Sequence, residues 1–521
     1  MFLWRISYLL ATCAGINYLF WLYGVLDWRT WFLAIPFFLC ELWFIINFLC
    51  TGTLAFARET RKNWRYDKAI SPLPCIGVLI PVCGEVKEIV GATIDSALAI
   101  AYTGNIKIFV TDDKSSDEIR DLARQKGVVY ISHPPHNEAK AGNMNRALPE
   151  IKKIIPDIQW LLVIDSGDIV RPDILEHSVR YFSEERIGFV QVQRKFDMKN
   201  NLPSDTGYFY DVIVPKRDRC DAMFSCGSGA FWKIEALMDL GGFSTWNIVE
   251  DYTTSYELQR KGWHGRYVLQ PLHIGIPAPD IIGLMRQRYQ WACDALRLAF
   301  WKRPLLDKTI SLPIRWAYME VAASYFLAFP VFVIRTMPLV VLWFDFPLFN
   351  LLERPLDYWV YFAPFFCARV LSDFTEFLAQ KTLFFRLWVK QLCLHEGLIP
   401  LYMMAVIQTF AHGPEKKPRY HVTPKTSDTR FQLYAVRFQI GWFCINLLTM
   451  AYGYNYHPTN PWLITATIWL LYSSLLLMPF ISAATATMYR GFRICWNLTL
   501  LTAWLGGLLV LILELMKYFN Q

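Results

Sequence analysis

The chain reads as apolar blocks on either side of one polar stretch. Residues 3–57 are almost wholly apolar, broken only near Asp27-Trp28-Arg29. Each half has the ~20 residues that a bilayer crossing requires. The pattern predicts a helical hairpin, because the apolar runs exceed the ~7–15 residues of a signal core and no small-residue cleavage site follows. From 72 to 300 the texture changes. Short β-rich runs at 74–81, 106–110, 128–131 and 160–164 have helix-like segments between some of them, one around 89–101. Alternating strand and helix predicts an α/β domain on a parallel-rich sheet. After Trp301 the apolar runs return, with spans near 316–342, 355–380, 432–453, 461–487 and 494–516. With the hairpin they make about seven crossings. The stretch 386–411 is apolar but carries Arg386, Lys390, His395, Glu396 and Pro400. It is predicted to lie at the membrane interface as an amphipathic helix; a true crossing is the alternative, and would flip the C-terminus. The chain thus divides into a hairpin at 1–60, an α/β domain at 72–300, membrane helices at 310–385, an interfacial helix and loop at 386–431, and membrane helices at 432–521.

Composition agrees with a membrane protein. Hydrophobic residues make up 54% and aromatics 16%, while charged residues fall to 18%, outside the balance of an average soluble enzyme. Arg58, Arg61, Lys62 and Arg65 follow the second helix, which places the polar domain in the cytoplasm by the positive-inside rule. The net charge of +8 fits this topology and a nucleotide diphosphate. No basic, aromatic-interleaved stripe is present, so nucleic acid is not expected. None of the 12 cysteines forms a CxxC pair, and Cys13, Cys40, Cys50, Cys367, Cys444 and Cys495 lie in apolar segments. Free buried thiols are expected, not disulfides or a zinc site.

The candidate chemistry sits in the polar stretch. Asp112-Asp113 and Asp165 directly follow predicted strands, and open α/β sheets bind ligands at the carboxyl ends of strands. Asp165-Ser166-Gly167-Asp168 offers oxygen ligands to a hard cation such as Mg or Mn, although Asp and Gly also make ordinary turns. Glu250-Asp251 precedes a helical pattern over 252–261. Acids there either cap the helix or act catalytically, with Asp251 as general base. The small-residue loop 222–230 either admits a ligand close to the backbone or makes a tight turn. Lys140-Ala141-Gly142-Asn143 adds a cation and backbone donors near the same sheet edge. Gln287 and Trp291 lie four apart on a helix spanning 280–300, so they share a face; a membrane-interface anchor is the alternative for Trp291. Residues 418–425 form a proline-bounded polar loop, either a surface linker or a lid whose Lys425 reaches a diphosphate.

In this order the pieces resemble the processive family 2 glycosyltransferases, over nearly the whole chain and most closely the cellulose synthase-like members that make cellulose, curdlan or mixed-linkage β-glucan. The run from Pro81 to Glu85 looks like the family's first nucleotide loop, and Asp113, beside Asp112, sits at its uridine-binding aspartate. Lys140 opens a similar lysine-alanine-glycine-asparagine loop. Cys226 and Gly227 fall in the loop that receives the terminal acceptor sugar, and Glu250-Asp251 match the motif whose aspartate is the base. Gln287, Arg288, Gln290 and Trp291 match the helix that contacts the diphosphate and stacks the acceptor. Tyr420, Val422, Thr423 and Lys425 are similar to the gating loop Phe-x-Val-Thr-x-Lys, the most specific of these matches. The resemblance implies a GT-A-type α/β domain inserted into an all-α transmembrane domain, with Mg or Mn at Asp165 and Asp168. It implies UDP-glucose as donor and an inverting reaction that elongates a β-glucan and translocates it. It also implies a bacterial plasma-membrane location with the catalytic domain cytoplasmic. Expected partners are the growing polysaccharide, membrane lipids, and accessory export or regulatory proteins.

Three positions depart from the family pattern. Gly167 replaces the second aspartate of Asp-x-Asp, Gln290 replaces an arginine, and Val249 replaces a threonine. They leave open a β-1,3 or mixed-linkage product, a chitin- or hyaluronan-like synthase, a non-processive lipid glycosyltransferase, and a degenerate non-catalytic subunit. The chain ends at Gln521 without the cyclic-dinucleotide-binding barrel of the bacterial cellulose enzyme, so control by that messenger is expected to need another protein. Glu320, Arg335, Arg369, Asp373 and Glu376 fall in or near the spans and are expected to face a polar cavity or one another. Tyr318, Tyr325, Trp359, Tyr361 and Phe362 share those segments and are candidates for stacking on sugar rings.

Overall fold

The computed structural model describes residues 2–53, 71–133, 138–196, 202–350, 355–379, 384–418, 432–485 and 490–520. Arg58, Arg61, Lys62 and Arg65, and the loop residues Tyr420, Val422, Thr423 and Lys425, lie outside them.

Between the membrane segments the chain forms β1 (Ile76–Val82), β2 (Ile106–Asp112), β3 (Val129–Ser132), β4 (Trp160–Val163), β5 (Ile169–Val170), β6 (Ile187–Phe196), β7 (Ala230–Lys233) and β8 (His264–Gly275). They make one sheet in the order β3-β2-β1-β4-β7-β6-β8-β5. The first four pair in parallel; β7 is antiparallel to both β4 and β6, and β6 and β8 are parallel again. The sheet is therefore mixed and parallel-rich, flanked by helices. β1 is buried at all seven positions. A strand covered on both faces needs no alternation, which is why Ile-Gly-Val-Leu-Ile-Pro-Val is apolar throughout. One core packs Phe109, Leu161 and Trp232; the opposite core packs Val78, Val110 and Phe231.

Among the described residues, seven helices are long and apolar enough to cross a membrane: Phe2–Val25, Trp28–Cys50, Leu312–Phe344, Phe385–His412, Gln432–Tyr456, Leu463–Ala483 and Arg493–Leu513. The chain is an integral membrane protein with the α/β domain inserted after the second of them. The number agrees with the prediction, but the membership differs. The stretch expected at the interface is in this set. The expected span at 355–380 is not, because helix Pro355–Ala379 carries Asp357, Arg369, Asp373 and Glu376. Packing pulls the other way for both helices. Pro355–Ala379 runs antiparallel along Phe2–Val25: Ser7 Oγ lies 2.6 Å from Thr375 Oγ1, Tyr18 stacks on Phe365, and Trp21 stacks on Tyr361. Phe384–His412 lies along helix Ile281–Arg297 of the α/β region, with Leu394, Leu398 and Tyr402 in their shared core.

The five charged residues singled out in or near the spans are paired. Arg335 Nε lies 3.1 Å from Glu396, and Arg369 Nε lies 3.1 Å from Asp373. Helix Val214–Arg219 reaches from the α/β domain to the bundle, with Arg217 3.0 Å from Glu320 and Lys216 3.2 Å from Glu376. Several aromatics singled out for sugar stacking are packed against protein. Tyr361 stacks on Trp21, Phe362 meets Tyr18, and Tyr318 Oη donates to Gln259 at 2.9 Å. At the far end of the bundle the Leu26–Asp27 turn is stitched to the 347–350 turn. Leu26 bridges Phe349, Asp27 N donates to Leu348 O at 3.0 Å, and Thr30 Oγ1 donates to Pro347 O at 2.7 Å.

Candidate active site

Three elements converge on one cation. β4 leads into Asp165, helix Ala139–Ile154 carries Lys140 in its first turn, and helix Glu250–Arg260 begins with Glu250 and Asp251. Lys140 Nζ lies 2.7 Å from Asp165 Oδ1 and 2.9 Å from Glu250 Oε1. Burial works against that ammonium, but Asp165 and Glu250 outweigh it and hold it well above the ordinary lysine value. Asp251 is 8% exposed, and its Oδ1 accepts from Tyr252 N at 2.7 Å. Burial, then repulsion from Glu250, pushes the Asp251 carboxyl well above its usual range, with Lys140 opposing.

The acceptor-loop candidates face this cluster. Gly227 has φ +82°, and a Cβ there would stand 2.8 Å from Asp251 Oδ2 and 3.5 Å from Lys140 Nζ. Glycine is required both by the left-handed backbone and by the close carboxylate. The loop is held from beneath by Gln191 of β6, whose Oε1 accepts from Cys226 N at 2.8 Å and whose Nε2 donates to Ser228 O at 2.8 Å. Burial and Asp251 push the Cys226 thiol up to about 12, so it is a neutral packing group, not a nucleophile.

The two aspartates proposed for a cation engage different surroundings. Asp168 is fully buried; Arg194 Nη2 donates to it at 2.7 Å, Ser228 Oγ at 2.6 Å, and His273 Nε2 lies at 2.9 Å. The same Ser228 Oγ accepts from Asp165 N at 2.9 Å. Asp165 thus faces Lys140, while Asp168 is committed to the interior on the other side of a serine. Gly167 between them has φ +93°, and a Cβ there would lie 3.0 Å from Ile276 and 3.1 Å from Ile89. An aspartate at that place would strain the backbone and crowd both isoleucines. Among the described residues, no three His, Cys, Asp or Glu side chains gather as a ready-made metal site.

The nucleotide-side residues also separate. Asp112 accepts from Lys114 N at 2.9 Å, Ser116 N at 2.7 Å and Tyr130 Oη at 3.0 Å, so it shapes its own loop. Asp113 stays at the sheet edge beside the Cys83 thiol, its carboxyl raised by burial and opposed by Arg146. Pro81 pairs with Thr111 across β1 and β2, and Glu85 accepts from Cys83 N at 2.7 Å. On helix Ile281–Arg297, Gln287 and Trp291 are partly exposed and Gln290 is buried. Arg288 donates to Asp205 at 3.0 Å and lies 4.7 Å over the Trp291 ring; its guanidinium is spent there and not on replacing the missing arginine. Sequence reading passed over Gln191 and Asp294. A glutamine inside the apolar β6 run is a signal for the first. Asp294 lies three residues after Trp291 and accepts from Val249 N, immediately before Glu250-Asp251; burial raises its carboxyl to about 7.

Residues 74–318 match the family described as Glycosyltransferase like family 2. The chain is 28% identical over 352 residues to the cellulose synthase 1 catalytic subunit [UDP-forming] of Komagataeibacter xylinus, covering 64% of this chain and 47% of that protein. It is 26% identical over 359 residues to the cellulose synthase catalytic subunit [UDP-forming] of Pseudomonas fluorescens (strain SBW25), covering 66% and 48%. The match thus spans about half the length of these relatives. Among solved structures, a mannosyltransferase from Pyrobaculum calidifontis in complex with GDP-Man and Mn2+ is 15% identical, with a TM-score of 0.45, over 70% of this chain and 98% of that one. Residues 74–318 thus match a family 2 glycosyltransferase domain, and the chain that carries them is similar in sequence to bacterial cellulose synthase catalytic subunits.

Proposed function

We propose that this chain is an inverting, processive β-glycosyltransferase that adds glucose from UDP-glucose to the end of a growing β-glucan and moves the polymer across the membrane. The observation that carries the reading is Asp251, raised and buried, facing Gly227 while Lys140 bridges Asp165 and Glu250. An acceptor hydroxyl resting over Gly227 gives its proton to Asp251 Oδ2. Its oxygen attacks the anomeric carbon of the donor as the bond from that carbon to UDP breaks. A carboxyl whose pKa is raised toward the working pH is the stronger base. Lys140 offsets the carboxylate charge that would otherwise repel an incoming diphosphate. Trp291 offers its half-buried ring to the acceptor, and Gln287 its amide on the same face.

When bound, Mg or Mn supplies positive charge to the leaving diphosphate. Asp165 is the better placed for that role, because its side chain is 31% exposed where that of Asp168 is fully buried. Magnesium is commonly held by one or two carboxylates plus substrate phosphates. Asp168 fits it less well, because Arg194, Ser228 and His273 occupy its oxygens. Export is supported by a cavity of about 420 Å3 at the far end of the membrane helices, with Tyr358, Trp462 and Trp469 among its aromatic walls. Cytoplasmic placement of the domain rests on Arg58, Arg61, Lys62 and Arg65.

The test is to incubate the purified, detergent-solubilised chain with radiolabelled UDP-glucose and Mn, then digest any polymer with linkage-specific glucanases. Release by a β-1,4-specific enzyme is the expected result. Release only by a β-1,3 or mixed-linkage enzyme keeps the mechanism and changes the product. A single sugar on lipid, or no transfer while UDP-glucose binds, overturns the reading.

A further inference from the structure

Arg297 ends helix Ile281–Arg297, and only 1% of it is exposed. One side of its guanidinium holds the loop that precedes the catalytic pair: Nε donates to Asn247 Oδ1 at 3.0 Å. The other side holds the turn that follows helix Phe384–His412. Nη1 donates to Gly413 O at 3.1 Å and Lys416 O at 2.6 Å, and Nη2 to Pro414 O at 3.1 Å. Four acceptors on two segments are thus read by one fork of donors, a geometry that lysine cannot reproduce. The loop side is tied onward to the acids. Asn247 Nδ2 donates to Asp294 O at 3.0 Å and to Thr253 Oγ1 at 3.1 Å, and Val249 N donates to Asp294 Oδ2. The turn side has a second tie, Lys417 Nζ to Thr245 O at 3.2 Å. The arginine also lies 4.8 Å over the Trp246 ring.

We propose that Arg297 is a positioning residue for the Glu250-Asp251 pair: it clamps the 245–249 loop to the 413–417 turn and so registers the catalytic carboxylates against helix Phe384–His412. The proposal rests on the reading of Asp251 as the base. Its consequence is that the base is held partly from the membrane side of the domain, through a residue that touches neither sugar nor nucleotide.

The test uses full-length, detergent-solubilised protein carrying Arg297→Lys, Asn247→Ala, or both. Three properties are measured: kcat and KM for UDP-glucose with Mn, UDP affinity by calorimetry, and hydrogen exchange of peptides covering 244–252 and 412–418. Arg297→Lys is expected to lower kcat roughly tenfold to a hundredfold, the range produced by displacing a catalytic group by about 1 Å. KM and UDP affinity should stay within about twofold, and the double variant should be no worse than the poorer single, as members of one network behave. Both peptides should exchange faster in Arg297→Lys. Faster exchange at 412–418 alone, losses that multiply in the double variant, or UDP affinity that falls in step with kcat would overturn the proposal. A wild type that transfers no sugar sinks the base reading instead. The exchange data then still separate a clamp that couples both segments from one that does not.

Discussion

As the proposed base, Asp251 has to be buried and still charged when an acceptor arrives. Burial and Glu250 favour its protonated form, so above the ordinary carboxylate pKa of 3.8 its ionisation costs folding free energy. The sign follows from linkage: a carboxyl raised in the folded state contributes stability that is complete below its unfolded value and is lost as pH rises. Asp251→Asn should therefore melt higher than wild type at neutral pH, with the gap closing toward pH 4, while transfer falls by about 10²-fold or more. A lower melting temperature at neutral pH would contradict the burial argument. Gly227→Ala places a methyl 2.8 Å from Asp251 Oδ2 on a left-handed backbone. It should cost about 10²-fold in transfer with UDP affinity retained, measured by calorimetry. Asp168 and Asp165 should part company. Asp168→Asn leaves Arg194 buried without its counter-charge and should cost about 3–5 kcal/mol of stability, read by chemical denaturation. Asp165→Asn should spare stability and raise the Mn concentration needed for half-maximal rate. The sequence marks all these acids as candidates, because acids at strand ends and helix starts stand out. It cannot mark which of them an internal arginine has already claimed, since Arg194 and His273 approach Asp168 only through the fold.

Elements show the same limit. β1 and β4 are legible because strands covered on both faces read as unbroken apolar runs, and β2 through the apolar Ile108–Val110 that follows its exposed Lys107. β6 and β8 are not, since Gln191, Gln193 and Arg194 interrupt one, and Arg266, Gln270 and Pro271 the other. Those polar groups are accommodated by tertiary partners such as Asp168 and Asp221. Helix Ile281–Arg297 is legible on one face only. Gln287 and Trp291 are found by spacing, but Arg288 was expected at the diphosphate and instead holds Asp205. Arg288→Gln should therefore lower the melting temperature while leaving UDP affinity within about twofold; a tenfold loss of affinity would return that side chain to the nucleotide. Mean hydropathy and packing pull apart for Pro355–Ala379 and Phe384–His412. Four charges keep the first out of the set of apolar spans, yet it lies beside the first membrane helix along four turns of aromatic and hydroxyl contacts.

The whole molecule is one unit joined at two levels. Lys216 and Arg217 fasten the α/β domain to Glu376 and Glu320, and Arg297 fastens its 245–249 loop to the turn after Phe384–His412. At the far end, the turn at Leu26 is hydrogen-bonded to residues 347–350. The partners of that last junction lie on opposite sides of the catalytic domain in the sequence, and this has a consequence in time. A ribosome adding roughly 5–20 residues per second finishes the hairpin long before it reaches Pro347. For some tens of seconds the first two helices have neither Phe365 nor Phe349 to pack on, and Glu41, which feels the charge of Arg335 in the finished protein, has no counterpart. A newborn chain must therefore park this hairpin, with Glu41 lacking the charge of Arg335, in lipid or in the grip of the insertion machinery while the entire α/β domain is made. Ribosome-bound chains stalled before residue 335 should crosslink to that machinery through the Glu41 face, and chains stalled after the 355–379 helix has emerged should have let go.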